Sequence, residues 1–161
     1  MSDQSQQPQQ AGNAPSFQIE KLYVKDASLE LPNAPQVFLE QAAPQVEVQI
    51  GTQIQNFGES LYEVTVSATV TAKSGEKTLF LAEAVQAGIF AIRNVGPQEL
   101  EPLLGIGCPT IVFPYLREAI SDLVSRAGFP PVVLAPVSFE ALYVQRQQQL
   151  AQQPAGTQAT S

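Results

Sequence analysis

Stretches in which apolar and polar residues alternate with a period of two lie between Phe17 and about Ile92, and the apolar spacing turns helical after Pro97. Strands followed by helices predict an α+β chain. The opening strand, Phe17 to Leu31, does not keep one phase: its apolar set runs Phe17/Ile19, then Leu22/Val24, then Ala27/Leu29/Leu31. Each slip moves the apolar set to the other face, so the strand needs bulges or a crossing between layers. Pro32-Asn33-Ala34-Pro35 ends it, because two prolines fix their own φ and restrain the residues before them. From Gln45 to Gln55, Val46, Val48, Ile50 and Ile54 oppose Glu47, Gln49, Gln53 and Gln55. After Asn56-Phe57-Gly58-Glu59, another strand sets Tyr62, Val64, Val66, Ala68 and Val70 against Glu63, Thr65, Ser67, Thr69 and Thr71. Ser74-Gly75-Glu76-Lys77 reads as a hairpin turn, completing a meander with the strand from Thr78 to Ile92. That last strand is apolar on both faces, with Phe80, Ala82 and Ala84 on one and Leu81, Val85 and Ile89 on the other. It therefore needs a second layer or a second subunit against it.

Pro97 suits a first helical position and Glu99 and Glu101 suit the positive end of a helix, which predicts a short helix to about Leu104. Gly105 and Gly107 interrupt it. A longer apolar helix then runs from Pro109 to Arg126, irregular near Pro114 and stopped by Gly128, Pro130 and Pro131. Ser138 can cap a last helix with Phe139, Leu142, Tyr143 and Val144 on its apolar positions. No apolar run approaches the length of a membrane span. Residues 1–16 and 152–161, rich in Gln, Ala, Ser, Thr and Pro, read as disordered tails around one domain over 17–151.

Charge and chemistry narrow the function more than the fold. The net charge is -7 and no Lys/Arg cluster occurs, which argues against nucleic acid as a partner. The segment Met1 to Pro15 has neither a basic nor an apolar stretch of a secretory leader, and with Cys108 as the single cysteine the chain fits a reducing, cytoplasmic compartment. No histidine is present, removing the commonest general base and metal ligand. Cys108 lies among apolar neighbours and reads as a small buried hydrophobe, while Gly105-x-Gly107 lacks the rest of a phosphate-binding motif. The carboxylate pairs Asp26/Glu30 and Glu76/Glu83 read as solvated faces unless folding unites them. No enzyme and no cofactor are expected.

Several blocks resemble one known family in order and spacing. They are Tyr23-Val-Lys-Asp-Ala-Ser-Leu-Glu-Leu-Pro-Asn-Ala-Pro35-Gln-Val-Phe38, Leu61-Tyr-Glu-Val-Thr-Val, Gly88-Ile-Phe, Cys108-Pro-Thr-Ile-Val-Phe-Pro-Tyr-Leu-Arg-Glu118, Val124-Ser-Arg-Ala-Gly-Phe-Pro130 and Leu134-Ala-Pro-Val-Ser-Phe-Glu-Ala-Leu142. Together they resemble the SecB export chaperones from about residue 17 to residue 144. The resemblance implies a four-stranded antiparallel sheet with a crossover connection and two main helices packed on one face, assembled as a dimer of dimers. It implies a chaperone that holds unfolded preproteins and delivers them to the translocation motor SecA, as a soluble homotetramer that does not insert into membranes.

The same resemblance assigns residues. Asp26, Glu30, Leu81 and Glu83 match the motor-docking face, and Leu81 and Glu83, two apart on a strand, point the same way. Ala82, Ala84 and Gln86, on the alternate face, match positions between dimers. Phe38, Val46, Val48, Phe139 and Leu142 match the preprotein groove between the crossover and the last helix, against ordinary core as the alternative. Ala42 stands where some members carry an aromatic residue. Two other function classes remain open at this stage: a small-ligand-binding α+β module and a purely structural α+β oligomer.

Overall fold

The computed structural model describes residues 12–153. Four strands, β1 (Ser16–Glu30), β2 (Gln45–Gly58), β3 (Leu61–Ser74) and β4 (Lys77–Arg93), form one antiparallel sheet in the order β1-β4-β3-β2. β2, β3 and β4 are the predicted meander, and their tight turns put Ser60 (φ 61°) and Gly75 (φ 60°) in the left-handed region. The segment after β1, with one 3-10 turn at Gln36–Leu39, crosses to the far side so that β1 and β2 become opposite edges.

β1 carries its two predicted slips as bulges, between Ile19 and Lys21 and between Val24 and Asp26. Its register with β4 pairs Phe17 with Ile92, Ile19 with Phe90, Leu22 with Gly88, Val24 with Gln86, Ala27 with Ala84 and Leu29 with Ala82. Every apolar set thus returns to one sheet face, and the strand stays in one layer. On that face, Val64, Val66, Ala68, Val70 and Ala72 of β3 and Phe80, Ala82, Ala84, Phe90 and Ile92 of β4 are buried.

The layer above them is helical. α1 (Pro97–Pro102), a π-helical turn (Leu103–Gly107) and α2 (Cys108–Arg126) run on without a break, so Gly105 and Gly107 do not interrupt the helix as expected. Pro109 has no N–H to continue the ladder, and the Cys108 N–H bonds instead to the Leu103 carbonyl five residues back. The joined run, Pro97–Arg126, is long and apolar enough by length and composition to cross a membrane, which overturns the expectation of no such segment. Its stripe of Val112, Leu116, Ile120 and Val124 is fully buried against β3 and β4, as in a core helix. Each of those side chains contributes about 1.5–3 kcal/mol by leaving water.

α3 (Phe139–Gln152) starts at the predicted cap, where Ser138 Oγ accepts the Ala141 N–H at 3.2 Å. Its first residue, Phe139, is buried edge-on to Phe113 with ring centroids 5.7 Å apart. Elements therefore extend one residue beyond each expected domain limit. At the near end, Asn94 Nδ2 donates to the carbonyls of Gly12 and Ala14 at 3.4 and 3.1 Å. Of the tails expected at 1–16 and 152–161, residues 1–11 and 154–161 lie outside the described residues.

Candidate functional site

The inner face of β2 is where the core layer runs out. Val46, Val48, Ile50, Thr52 and Ile54 pair with Ala72, Val70, Ala68, Val66 and Val64, all buried, and so point to the helical side of the sheet. α2 lies over β3 and β4, however, and β2 is an edge. Val46 and Val48 consequently remain 43% and 44% exposed beside partners that are 0% exposed. At two residues per roughly 6.8 Å, the row from Val46 to Thr52 is about 20 Å long.

Both ends of the row are walled. At one, Phe38 stacks on Phe129 (5.2 Å, 24°), and Phe129 in turn meets Phe80 at 5.1 Å. At the other, α3 and β2 enclose a cleft of about 220 Å³ lined by Ile50, Thr52, Phe139, Leu142, Tyr143 and Arg146. Arg146 Nη2 donates to Thr52 Oγ1 at 3.3 Å, tying α3 to the strand. Tyr143 rests on Gly105 so closely that a Cβ there would lie 2.7 Å from its Cδ2.

Of the expected groove residues, Phe38, Val46, Val48 and Leu142 are exposed along this row, whereas Phe139 is 3% exposed and forms the floor. Ile50, Tyr143 and Arg146 were not foreseen as liners. Ile50 shares the period of Val46 and Val48, and Tyr143 follows Phe139 by one helical turn, so the pattern carried a signal for both.

The opposite face of the sheet has a different character. Register puts Glu30 opposite Leu81, Ser28 opposite Glu83 and Asp26 opposite Val85, so Asp26, Glu30, Leu81 and Glu83 share one face. The three carboxylates are exposed and Leu81 is half-buried. Glu83 accepts long hydrogen bonds from Ser28 Oγ at 3.4 Å and Thr69 Oγ1 at 3.5 Å. Next to them on this face, Lys25 Nζ lies 2.6 Å from Glu63 Oε1, and the Tyr23 hydroxyl donates to Glu63 Oε2. Hydrogen bonds from Lys25 and then Tyr23 hold the Glu63 carboxyl below its ordinary range. The bond to Glu63, helped by burial and by the carboxylate's charge, pushes the Tyr23 hydroxyl up to about 12.

Ala82, Ala84 and Gln86 do not lie on an open surface. They face α2 and are 0%, 1% and 4% exposed within the single chain, so their side chains form the subunit's own core. The small side chains do admit a second layer closely, but that layer is α2. Cys108 is also fully buried, and burial pushes its thiol up to about 12, which leaves it protonated and unreactive at neutral pH. Among the described residues, no group of three His, Cys, Asp or Glu converges as a metal site.

A family profile described as "Preprotein translocase subunit SecB" matches residues 10–150. A protein-export protein SecB of Chromobacterium violaceum is 58% identical over 138 residues, 86% of this chain and 92% of its own length. One from an Azoarcus species is 60% identical over 134 residues, 83% of this chain and 89% of its own. Among solved structures, a Mycobacterium tuberculosis SecB-like chaperone in complex with a ChAD peptide from the HigA1 antitoxin shares the fold, with a TM-score of 0.62 at 18% identity over 76% of this chain and 91% of that one. The profile spans nearly the whole sequence and the curated relatives align almost end to end, so the chain belongs to the SecB family of non-enzymatic export chaperones.

Proposed function

We propose that this protein holds newly made preproteins unfolded in the cytoplasm, as a tetramer built from two dimers, and passes them to the SecA motor. The observation that carries the first half is the β2 row, where valines on the core face of the sheet stay half-exposed beside fully buried partners. A surface of that kind loses free energy to water unless something apolar covers it. Its length and shallowness suit an extended chain better than a compact ligand, and Thr52, Gln145, Arg146 and Gln149 at the cleft can bond to a client backbone. Weak contacts repeated along several such grooves in one assembly add through effective concentration, so promiscuity and tight holding are compatible. Phe38, Val46, Val48 and Leu142 are the contact residues, with Phe139 beneath them.

The second half rests on the outer face. Asp26, Glu30 and Glu83 ring the half-buried Leu81, which suits a basic partner surface with one apolar contact. Client and motor then occupy opposite sides of one sheet. Release draws on the motor's energy.

Native mass measurement with a slow-folding preprotein tests the holding role. The expected result is a tetramer that binds the denatured form and not the native one, with capture reduced by Val48→Asp. Equal binding of native and denatured forms, or a monomer at micromolar concentration, would sink the proposal. Glu83→Lys should weaken SecA binding while sparing capture, most visibly at low salt, where screening is least.

A further inference from the structure

The acidic face depends on a single extra residue in β1. Between its two bulges, from Lys21 to Val24, the strand alternates so that even positions face the core, with Leu22 opposite Gly88 and Val24 opposite Gln86. Continued unbroken, that alternation would turn Asp26, Ser28 and Glu30 toward the core and Ala27 and Leu29 toward water, since a one-residue slip exchanges the faces. The bulge at Lys25 reverses the phase, and Asp26, Ser28 and Glu30 come out beside Val85, Glu83 and Leu81. The extra residue of a bulge has no partner in the ladder, which leaves its side chain free to anchor it elsewhere. Lys25 reaches across β4 to Glu63 on β3, with Nζ 2.6 Å from Oε1, and Tyr23 reaches the other oxygen of the same carboxylate. Residues on both sides of Val24 are thus tied to one anchor two strands away.

We propose that Glu63, Lys25 and Tyr23 are positioning residues for the docking face: their clamp holds the bulge that turns Asp26 and Glu30 outward beside Glu83. This rests on the outer face being the one that meets a basic partner. None of the three is assigned a contact with that partner.

The charges make the idea separable from simple electrostatics. Lys25→Met removes a positive charge from an acidic face, so charge alone would tighten binding of a basic partner. A positioning role demands the reverse. In the full-length assembled protein, amide exchange over Val24–Ser28 should quicken about three- to fivefold in Lys25→Met and in Glu63→Gln, as expected for losing a partly exposed pair at a local opening. SecA affinity should fall by a similar factor in both variants while capture of a denatured preprotein is unchanged. Exchange that stays at the wild-type rate overturns the clamp, whatever happens to docking. Faster exchange with equal or tighter SecA binding in Lys25→Met overturns the positioning role. The control is Glu83→Lys: if it leaves SecA binding intact, the docking face itself is refuted and the positioning role falls with it, while the exchange rates still judge the clamp.

Discussion

Gly105→Ala offers the sharpest test of how α3 is seated. The added Cβ would lie 2.7 Å from Tyr143 Cδ2 and 3.0 Å from Cε2. Carbon atoms rest at about 3.5–4.0 Å, so the ring must withdraw by roughly 1 Å. Overpacking of that kind costs about 1–3 kcal/mol. Against it stands the gain from replacing glycine by alanine at a helical position, about 1 kcal/mol. The net expectation is a destabilisation of about 0–2 kcal/mol, which is small because the two effects oppose. The effect on the cleft should be larger than the effect on the fold, since Tyr143 carries Leu142 and Arg146 with it. Urea unfolding at fixed protein concentration measures the first, and dissociation of a denatured preprotein measures the second. In a Tyr143→Ala background the clash is gone, and Gly105→Ala should then stabilise by about 1 kcal/mol. A single Gly105→Ala variant that gains about 1 kcal/mol and holds clients normally would refute the close seating of Tyr143 on the π turn.

Phe139→Ala should cost about 3–5 kcal/mol, because the ring is buried against Phe113 at the root of α3, and lost client capture should track the unfolding of that helix in thermal melts. Ala84→Asp should prevent stable folding, at a cost of several kcal/mol, by burying an unpaired carboxylate under α2. A well-folded Ala84→Asp subunit that merely fails to assemble would instead give this position an intersubunit role. Tyr23 should ionise late: its folded value is raised, so its bond to Glu63 supports the fold fully below about pH 10 and is lost as pH climbs through about 12. Phenolate absorbance should show earlier ionisation in Glu63→Gln, and identical titration curves would count against the bond.

Local periodicity made much of this structure legible. The double phase slip in β1 was visible because alternation has a strict period of two and an extra residue cannot hide in it. The Ser138 cap was visible for a similar reason, since its geometry is contained in four consecutive residues. The π turn was not. Two glycines look like a break, but Tyr143 packs against Gly105, and the Cys108 N–H bond to the Leu103 carbonyl carries the helix past the missing N–H of Pro109. The docking-face residues were legible as a group through resemblance, but their shared face depends on the register between β1 and β4, which joins distant parts of the sequence. The Lys25–Glu63–Tyr23 clamp left no local trace at all. The small side chains of Ala82 and Ala84 signal close approach, yet composition alone does not say whether the approaching layer belongs to the same chain.

The strand order also bears on how the molecule comes into being. β2, β3 and β4 are neighbours in sequence as well as in space, so they can zip together through short hairpins. β1 is different: Ser16 pairs with Arg93 and Glu30 with Leu81, contacts that close long loops and are formed slowly. During synthesis from the N-terminus, β1 emerges first and waits for β4, its unpaired edge and the side chains of Phe17, Ile19 and Val24 open to wrong partners throughout. The delay ends only when the polypeptide has grown past Arg93.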